Sequence, residues 1–284
     1  MKKLLFLILL VVLVSGCIDF GGSKASFGLS EVTNNPDVYI KIEASAGEIK
    51  SGRRVQLEFT VENRGDTDLN NLKVVAYDPC LFMGETVKEF GLLRANRSTK
   101  WNWRWDAGDT DFDRECTVRF RTTYDTYTTM STTTHVLSEA EYYAREDAGT
   151  LDELVSLTTA TKNNLRLGLS FSEQQPFLTG ESIIAYINYN DVGAGLLNEL
   201  EPGNVTIDVT NNLGSGECSS YDANTDFTQF TSNARLRFVS KEAPSTTCRF
   251  TSAATQPIES GEIRITAKYK YQFDNSLLLK VTPK

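Results

Sequence analysis

Apolar and polar residues alternate with a period of two along most of this chain. Val55, Leu57, Phe59 and Val61 fall on one side of a run, with polar residues between them. Ile183, Ala185, Ile187 and Tyr189 repeat the pattern far downstream. A period of two carried by β-branched and aromatic residues predicts strands with one buried face. The stretch KWNWRWD is the extreme case, because it holds all 3 tryptophans, Trp101, Trp103 and Trp105. The alternation puts the three indoles on one face and Asn102 and Arg104 on the other. Three exposed indoles on one strand would be an aggregation hazard, so the face is expected to be core. The alternative is a sugar-stacking platform, with Trp105 its most open member.

The pattern occurs twice. YIKIEASAGEIKSGRRVQLEFTVENRGD and LRLGLSFSEQQPFLTGESIIAYINYNDVGAG each join two alternating runs through a loop ending in a small residue and Gly (Ser51-Gly52, Thr179-Gly180). Each second run ends in Asn or Asp near Gly. CTVRFRTTYDTYTTMS and GEIRITAKYKYQFDNS close the two units, each with a pair of tyrosines. The expected fold is therefore all-β: two tandem immunoglobulin-like β-sandwich domains over residues 38–138 and 165–284. Between them, residues 139–164 form a partly helical linker. Ser138 with Glu141 and Thr150 with Glu153 have the spacing of helix capping boxes, and Gly149 separates them.

The N-terminus breaks this pattern. Lys2 and Lys3 precede an unbroken apolar run from Leu4 to Val14, too short to span a bilayer and right for a signal-peptide core. Val14-Ser15-Gly16-Cys17 follows and resembles a prokaryotic lipobox. The resemblance implies cleavage after residue 16 and a lipid on Cys17. The membrane is then a partner through that lipid, and the chain is extracytoplasmic. Residues 17–37, rich in Gly, Ser and Asn, are expected to be a flexible tether.

Cysteine usage agrees with that compartment. Apart from Cys17, the chain has Cys80, Cys116, Cys218 and Cys248, an even number suited to disulfides. Of the three pairings they allow, Cys80–Cys116 and Cys218–Cys248 are favoured because each falls inside one unit. A net charge of −8 disfavours nucleic acid as a partner.

VQLEFTVENRGDTDLNNLKVVAYD and FGLLRANRSTKWNWRWD resemble a CARDB domain, a cell-adhesion-related, immunoglobulin-like module of prokaryotic surface proteins. The resemblance covers the first unit and implies a non-catalytic adhesion, spacer or protein-interaction role, with other surface proteins or envelope polymers as partners. The alternatives are a carbohydrate- or solute-binding lipoprotein and a subunit of a membrane-associated envelope or secretion complex.

Candidate chemistry is sparse. Asp106, Asp109, Asp111 and Asp113, with Glu115 beside them, form an acidic loop that admits calcium as a cofactor. The loop has no Gly at the sixth place and Phe120 at the twelfth, which excludes an EF-hand; no other cofactor is expected. His135 is the single histidine, among threonines, so a serine- or cysteine-type catalytic centre has one candidate base. No enzyme is expected. Asn96 and Asn204 open glycosylation sequons.

Overall fold

The computed structural model describes residues 30–35, 37–210 and 212–284. The expected signal peptide at 1–16, the lipidation residue Cys17 and the first part of the expected tether lie outside the described residues. The last part of that tether segment is a strand: β1 (Ser30–Asn34) runs antiparallel to β2 (Val38–Ala44).

The chain continues through β3 (Glu48–Lys50), β4 (Arg54–Asn63), β5 (Leu69–Asp78), β6 (Phe82–Met83), β7 (Val87–Leu93), β8 (Ser98–Ala107) and the 24-residue β9 (Arg114–Leu137). Helix α1 (Glu139–Ala148) and a 3-10 turn at Leu151–Glu153 follow. Then come β10 (Thr158–Ala160), β11 (Leu165–Phe171), β12 (Phe177–Leu178), β13 (Ser182–Asp191), β14 (Glu199–Leu200) and β15 (Val205–Val209). The last group is β16 (Leu213–Cys218), β17 (Tyr221–Ala223), β18 (Gln229–Ser232), β19 (Leu236–Arg237), β20 (Glu242–Ser252) and the 25-residue β21 (Ile258–Thr282).

Among the described residues the largest sheet has ten strands and follows the order β17-β18-β15-β21-β9-β5-β7, with β10 and β12 joined to β9 and β3 to β21. Its spine is the antiparallel pair β9 and β21, in register from Ile258 opposite Leu137 to Val281 opposite Arg114. At the usual rise per residue these strands are about 80 Å long. A five-stranded sheet, β1-β2-β4-β8-β6, covers one end of the long sheet, and a four-stranded sheet, β11-β13-β20-β16, covers the other. Rings mark both contacts: Phe59 lies 5.2 Å from Phe120 at the first end, and Phe230 lies 5.8 Å from Phe250 at the second. The molecule is thus all-β and sandwich-like at both ends.

The long strands cross between the ends. The last part of β21, with Leu277, Leu279 and Val281 buried, pairs with the start of β9 and with β3 under the five-stranded sheet. The last part of β9, with Thr132, Thr134 and Val136 buried, pairs with β21 and β12 at the other end. Each end is completed by a strand whose other half belongs to the opposite end. Tyr124 lies opposite Tyr271 near the middle of the pair.

The segment expected to be partly helical contains the ten-residue helix α1, a 3-10 turn and the short strand β10. Ser138 caps α1, its hydroxyl accepting from the Glu141 N–H at 3.4 Å, and Gly149 ends the helix in the left-handed conformation at φ 69°. The Thr150 side chain makes no capping bond to the 3-10 turn, so only the first capping-box spacing forms a side-chain cap.

Candidate functional site

The tryptophans lie in the core. Trp101, Trp103 and Trp105 face β4 in register with Phe59, Leu57 and Val55, and are 9%, 1% and 0% exposed. Trp105, expected to be the most open, is the most buried. β6 closes the strand end there, and the indole N–H donates to the Glu85 carbonyl at 2.7 Å. Stacking of Trp103 on Trp105 at 5.5 Å and of Phe59 on Trp101 at 4.7 Å fills the layer. Both favoured disulfides are present: Cys80–Cys116 ties the end of β5 to β9, and Cys218–Cys248 joins directly opposed residues of β16 and β20.

The acidic loop is spread over several cations. Asp106 pairs with Arg54 at 3.0 Å, Asp113 with Lys280 at 2.7 Å and Asp109 with Lys284 at 3.0 Å. The Lys284 ammonium, followed by the Ser51 hydroxyl, holds the Asp109 carboxyl below its ordinary range. The three carboxylates therefore turn to three different partners, while Asp111 is exposed. Asn96 is exposed in a turn at φ 55°, and Asn204 is half-buried just before β15.

His135 is not isolated. Its Nδ1 lies 2.9 Å from the Ser260 hydroxyl, directly across the β9–β21 pair, and its Nε2 lies 3.2 Å from the Val155 carbonyl. A carbonyl only accepts, so the neutral ring protonates Nε2, and Nδ1 accepts from Ser260. A serine and a base are thus in contact. The group orienting the base is an uncharged carbonyl, which supplies no charge to stabilise an imidazolium.

A buried polar cluster lies between the two ends, beside Tyr124 and Tyr271. The repeat explains its composition. β4 ends at Asn63 and β13 at Asp191; each side chain accepts from the N–H of a glycine two residues on, Gly65 and Gly193, at 3.0 Å. The next N–H of each turn reaches across: Arg64 donates to the Asp37 carbonyl and Val192 to the Asn164 carbonyl, both at 2.7 Å. Asp37 and Asn164 are therefore equivalent positions, one before β2 and the other before β11. Both are 0% exposed. The Tyr124 hydroxyl donates to the Asp37 carboxylate at 2.9 and 3.1 Å and accepts from Asn164 Nδ2 at 2.8 Å. From β21 the Tyr271 hydroxyl donates to Asp191 at 3.2 Å and accepts from the Gly195 N–H at 2.8 Å. A Cβ on residue 193 would stand 2.1 Å from the Tyr271 oxygen, so the turn requires glycine.

Burial dominates the electrostatics. It raises the Asp37 carboxyl from 3.8 to about 6 against the opposing effect of the Tyr124 hydroxyl, and the Asp191 charge adds to the rise. Burial, then the charge of Asp37, pushes Tyr124 well above its ordinary range. Asn163 Oδ1, Asn164 Oδ1 and Asn35 Nδ2 are buried here without partners among the described residues. The cluster is enclosed and fastens the two ends together. Beside it opens a cleft of about 540 Å³ lined by Lys162, Arg166, Leu167 and Val192. The sequence marks these elements as repeat ends and tyrosine pairs, but the meeting of Asp37 with Tyr124 across 87 positions leaves no local signal.

No family model matches the chain, and no curated protein does. Among solved structures it is similar to the secreted serine protease VesC from Vibrio cholerae, at 11% identity, TM-score 0.21, over 79% of this chain and 49% of that one. It is similar to red sea bream transglutaminase at 11% identity and TM-score 0.21, over 86% of this chain and 31% of that one. A protein of unknown function from Porphyromonas gingivalis W83 is similar at 12% identity and TM-score 0.20, over 86% and 99% of the two chains. The chain thus spans about half the length of the first structure and a third of the second.

Proposed function

We propose that the chain is a lipid-anchored, extracytoplasmic, non-catalytic interaction module. On this reading Cys17 carries the lipid, the residues after it form the tether, and two immunoglobulin-like, CARDB-like sandwiches that share the long strands β9 and β21 are presented to other surface proteins or envelope polymers. The observation that carries the reading is the disposition of the cysteines. Four of the 5 are joined in two disulfides, one at each end of the molecule, which suits an oxidising compartment and leaves Cys17 as the thiol for modification. A lipid there, with more than one acyl chain, gives stable membrane attachment. Burial of all three indoles weighs against a sugar-stacking platform.

The test is mass analysis of the N-terminal peptide from the membrane fraction. The expected product begins at Cys17 and carries a diacylglyceryl adduct, and Cys17→Ser releases the protein from membranes. A cytoplasmic protein with four reduced thiols at residues 80, 116, 218 and 248 would sink the reading.

A further inference from the structure

The two ends of the molecule repeat one plan, with one strand missing. In the five-stranded sheet β2 is not an edge, because β1 pairs along it. In the four-stranded sheet β11, the equivalent of β2, is the edge. Its hydrogen-bonding direction follows from its partner. Ser172 donates to Ile184 and Val192 to Asn164 across the β11–β13 register, so Arg166, Gly168 and Ser170 face β13. The N–H and C=O groups of Leu167 and Leu169 therefore point away from β13. Their equivalents, Ile40 and Ile42, direct the same groups to β1.

The side chains record the same gap. Ile40 and Ile42 are both 1% exposed under β1; of their equivalents Leu167 is 6% exposed and Leu169 only half-buried, as is Phe171 farther along the edge. The open cleft lies at the start of this edge. Lys162 and Arg166, which line it, have no ion-pair partner among the described residues, on a chain whose 37 acidic residues outnumber 29 basic ones. Edge strands in natural proteins are normally blocked or covered. This one carries one charged residue in seven and no proline.

We propose that the outer edge of β11 is a strand-addition site for an acidic, extended segment of a partner protein, which takes there the antiparallel place that β1 takes on β2. Main-chain bonds to Leu167 and Leu169 hold the segment, its inward side chains cover Leu169 and Phe171, and its carboxylates meet Lys162 and Arg166. A second copy of this chain pairing β11 with β11 would leave both cations unneutralised, which favours the acidic partner. The inference deepens the interaction-module reading and rests on it, by naming the surface and the chemistry of what binds.

The test uses the full chain in detergent and two synthetic peptides. In one, glutamate alternates with valine and threonine; in the other, lysine replaces glutamate. Hydrogen exchange is followed at the Leu167 and Leu169 amides. The glutamate peptide should slow exchange at both by about tenfold or more, and the lysine peptide should not. Arg166→Glu should weaken the effect by about tenfold. Leu169→Pro should abolish it, because proline removes a donor that β13 does not use. Retained protection of the β13-side amides, such as Val192 bonded to Asn164, in both variants excludes misfolding of this end as the cause. Equal action of the two peptides, or no protection by either, overturns the proposal. So does a peptide-free dimer with both amides already protected. If crosslinking on cells then captures a stoichiometric neighbour at another surface, this edge is wrong while the interaction-module reading stands.

Discussion

Asp37 shows how much one buried carboxyl can shift the energetics. Its proton affinity is higher in the folded protein than in the unfolded chain, 3.8 rising to about 6. Its contribution to stability is therefore fully present below pH 3.8 and is lost as pH rises through about 6. The loss is about 3 kcal/mol at the conversion of 1.36 kcal/mol per pH unit. Asn164, in the equivalent position, shows that an amide fits this environment. Asp37→Asn is thus expected to stabilise the protein above pH 6.5 and to flatten stability between pH 4 and 6; urea unfolding at several pH values measures both. The indoles make a second contrast. Trp105 donates to the Glu85 carbonyl, whereas the Trp101 and Trp103 N–H groups are buried without a partner among the described residues. Trp105→Phe loses a hydrogen bond, while Trp103→Phe removes an unsatisfied donor. The former variant should be less stable by about 1–2 kcal/mol in guanidinium unfolding. That the tryptophans lie in the core was legible from their spacing. Which indole is bonded was not, because Glu85 reaches it through β6, a two-residue strand with no periodicity to read.

The elements divide between those whose signals are local and those whose signals are not. The alternation of Val55, Leu57, Phe59 and Val61 describes β4 completely, since all four are 0% exposed. The α1 cap was equally legible, because Ser138, Glu141 and Gly149 act within a few residues of one another. α1 buries no residue among those described, so its cap stabilises little beyond itself. Ser138→Ala should cost about 0.5–1 kcal/mol locally. Hydrogen exchange should show faster opening of the α1 amides, while the midpoint of global unfolding stays unchanged. The long β9 was harder to read for a physical reason. Along its second half the buried face is mostly threonine: Thr126, Thr128, Thr132 and Thr134 are 0–4% exposed, with Met130 and Val136 its apolar members. Their hydroxyls find one another and the neighbouring loop, as in Thr67 with Thr126 at 2.8 Å and Thr128 with Thr161 at 2.8 Å. A face that is buried yet polar carries no apolar alternation, so the strand reads as two short runs instead of one continuous ladder.

At the scale of the whole molecule the crossing of β9 and β21 decides how stability is shared. Two sandwiches in series, each with its own core, would unfold independently. Here the first end needs Leu277, Leu279 and Val281 from the last strand of the chain, and the second end needs Val136 from β9. The enclosed cluster adds hydrogen bonds that neither end can make alone: Asn164 donates to Tyr124, Asn163 to Thr67 and the Ala194 N–H to Asn35. Opening one end therefore exposes apolar residues and buried polar groups of the other, and the two should melt together. Calorimetry of the oxidised protein should give one transition, with calorimetric and van't Hoff enthalpies in agreement. A fragment ending at residue 164 keeps every strand of the first end except the arm from β21. It leaves a 24-residue edge on β9 unpaired along its β21 side. Such an edge is an aggregation template, so the fragment should remain unfolded or associate. A synthetic peptide spanning residues 258–284 should rescue it by supplying the missing strand. Two separate transitions, or a monomeric 30–164 fragment with native tryptophan burial, would mean that the crossing strands pair without coupling the two cores.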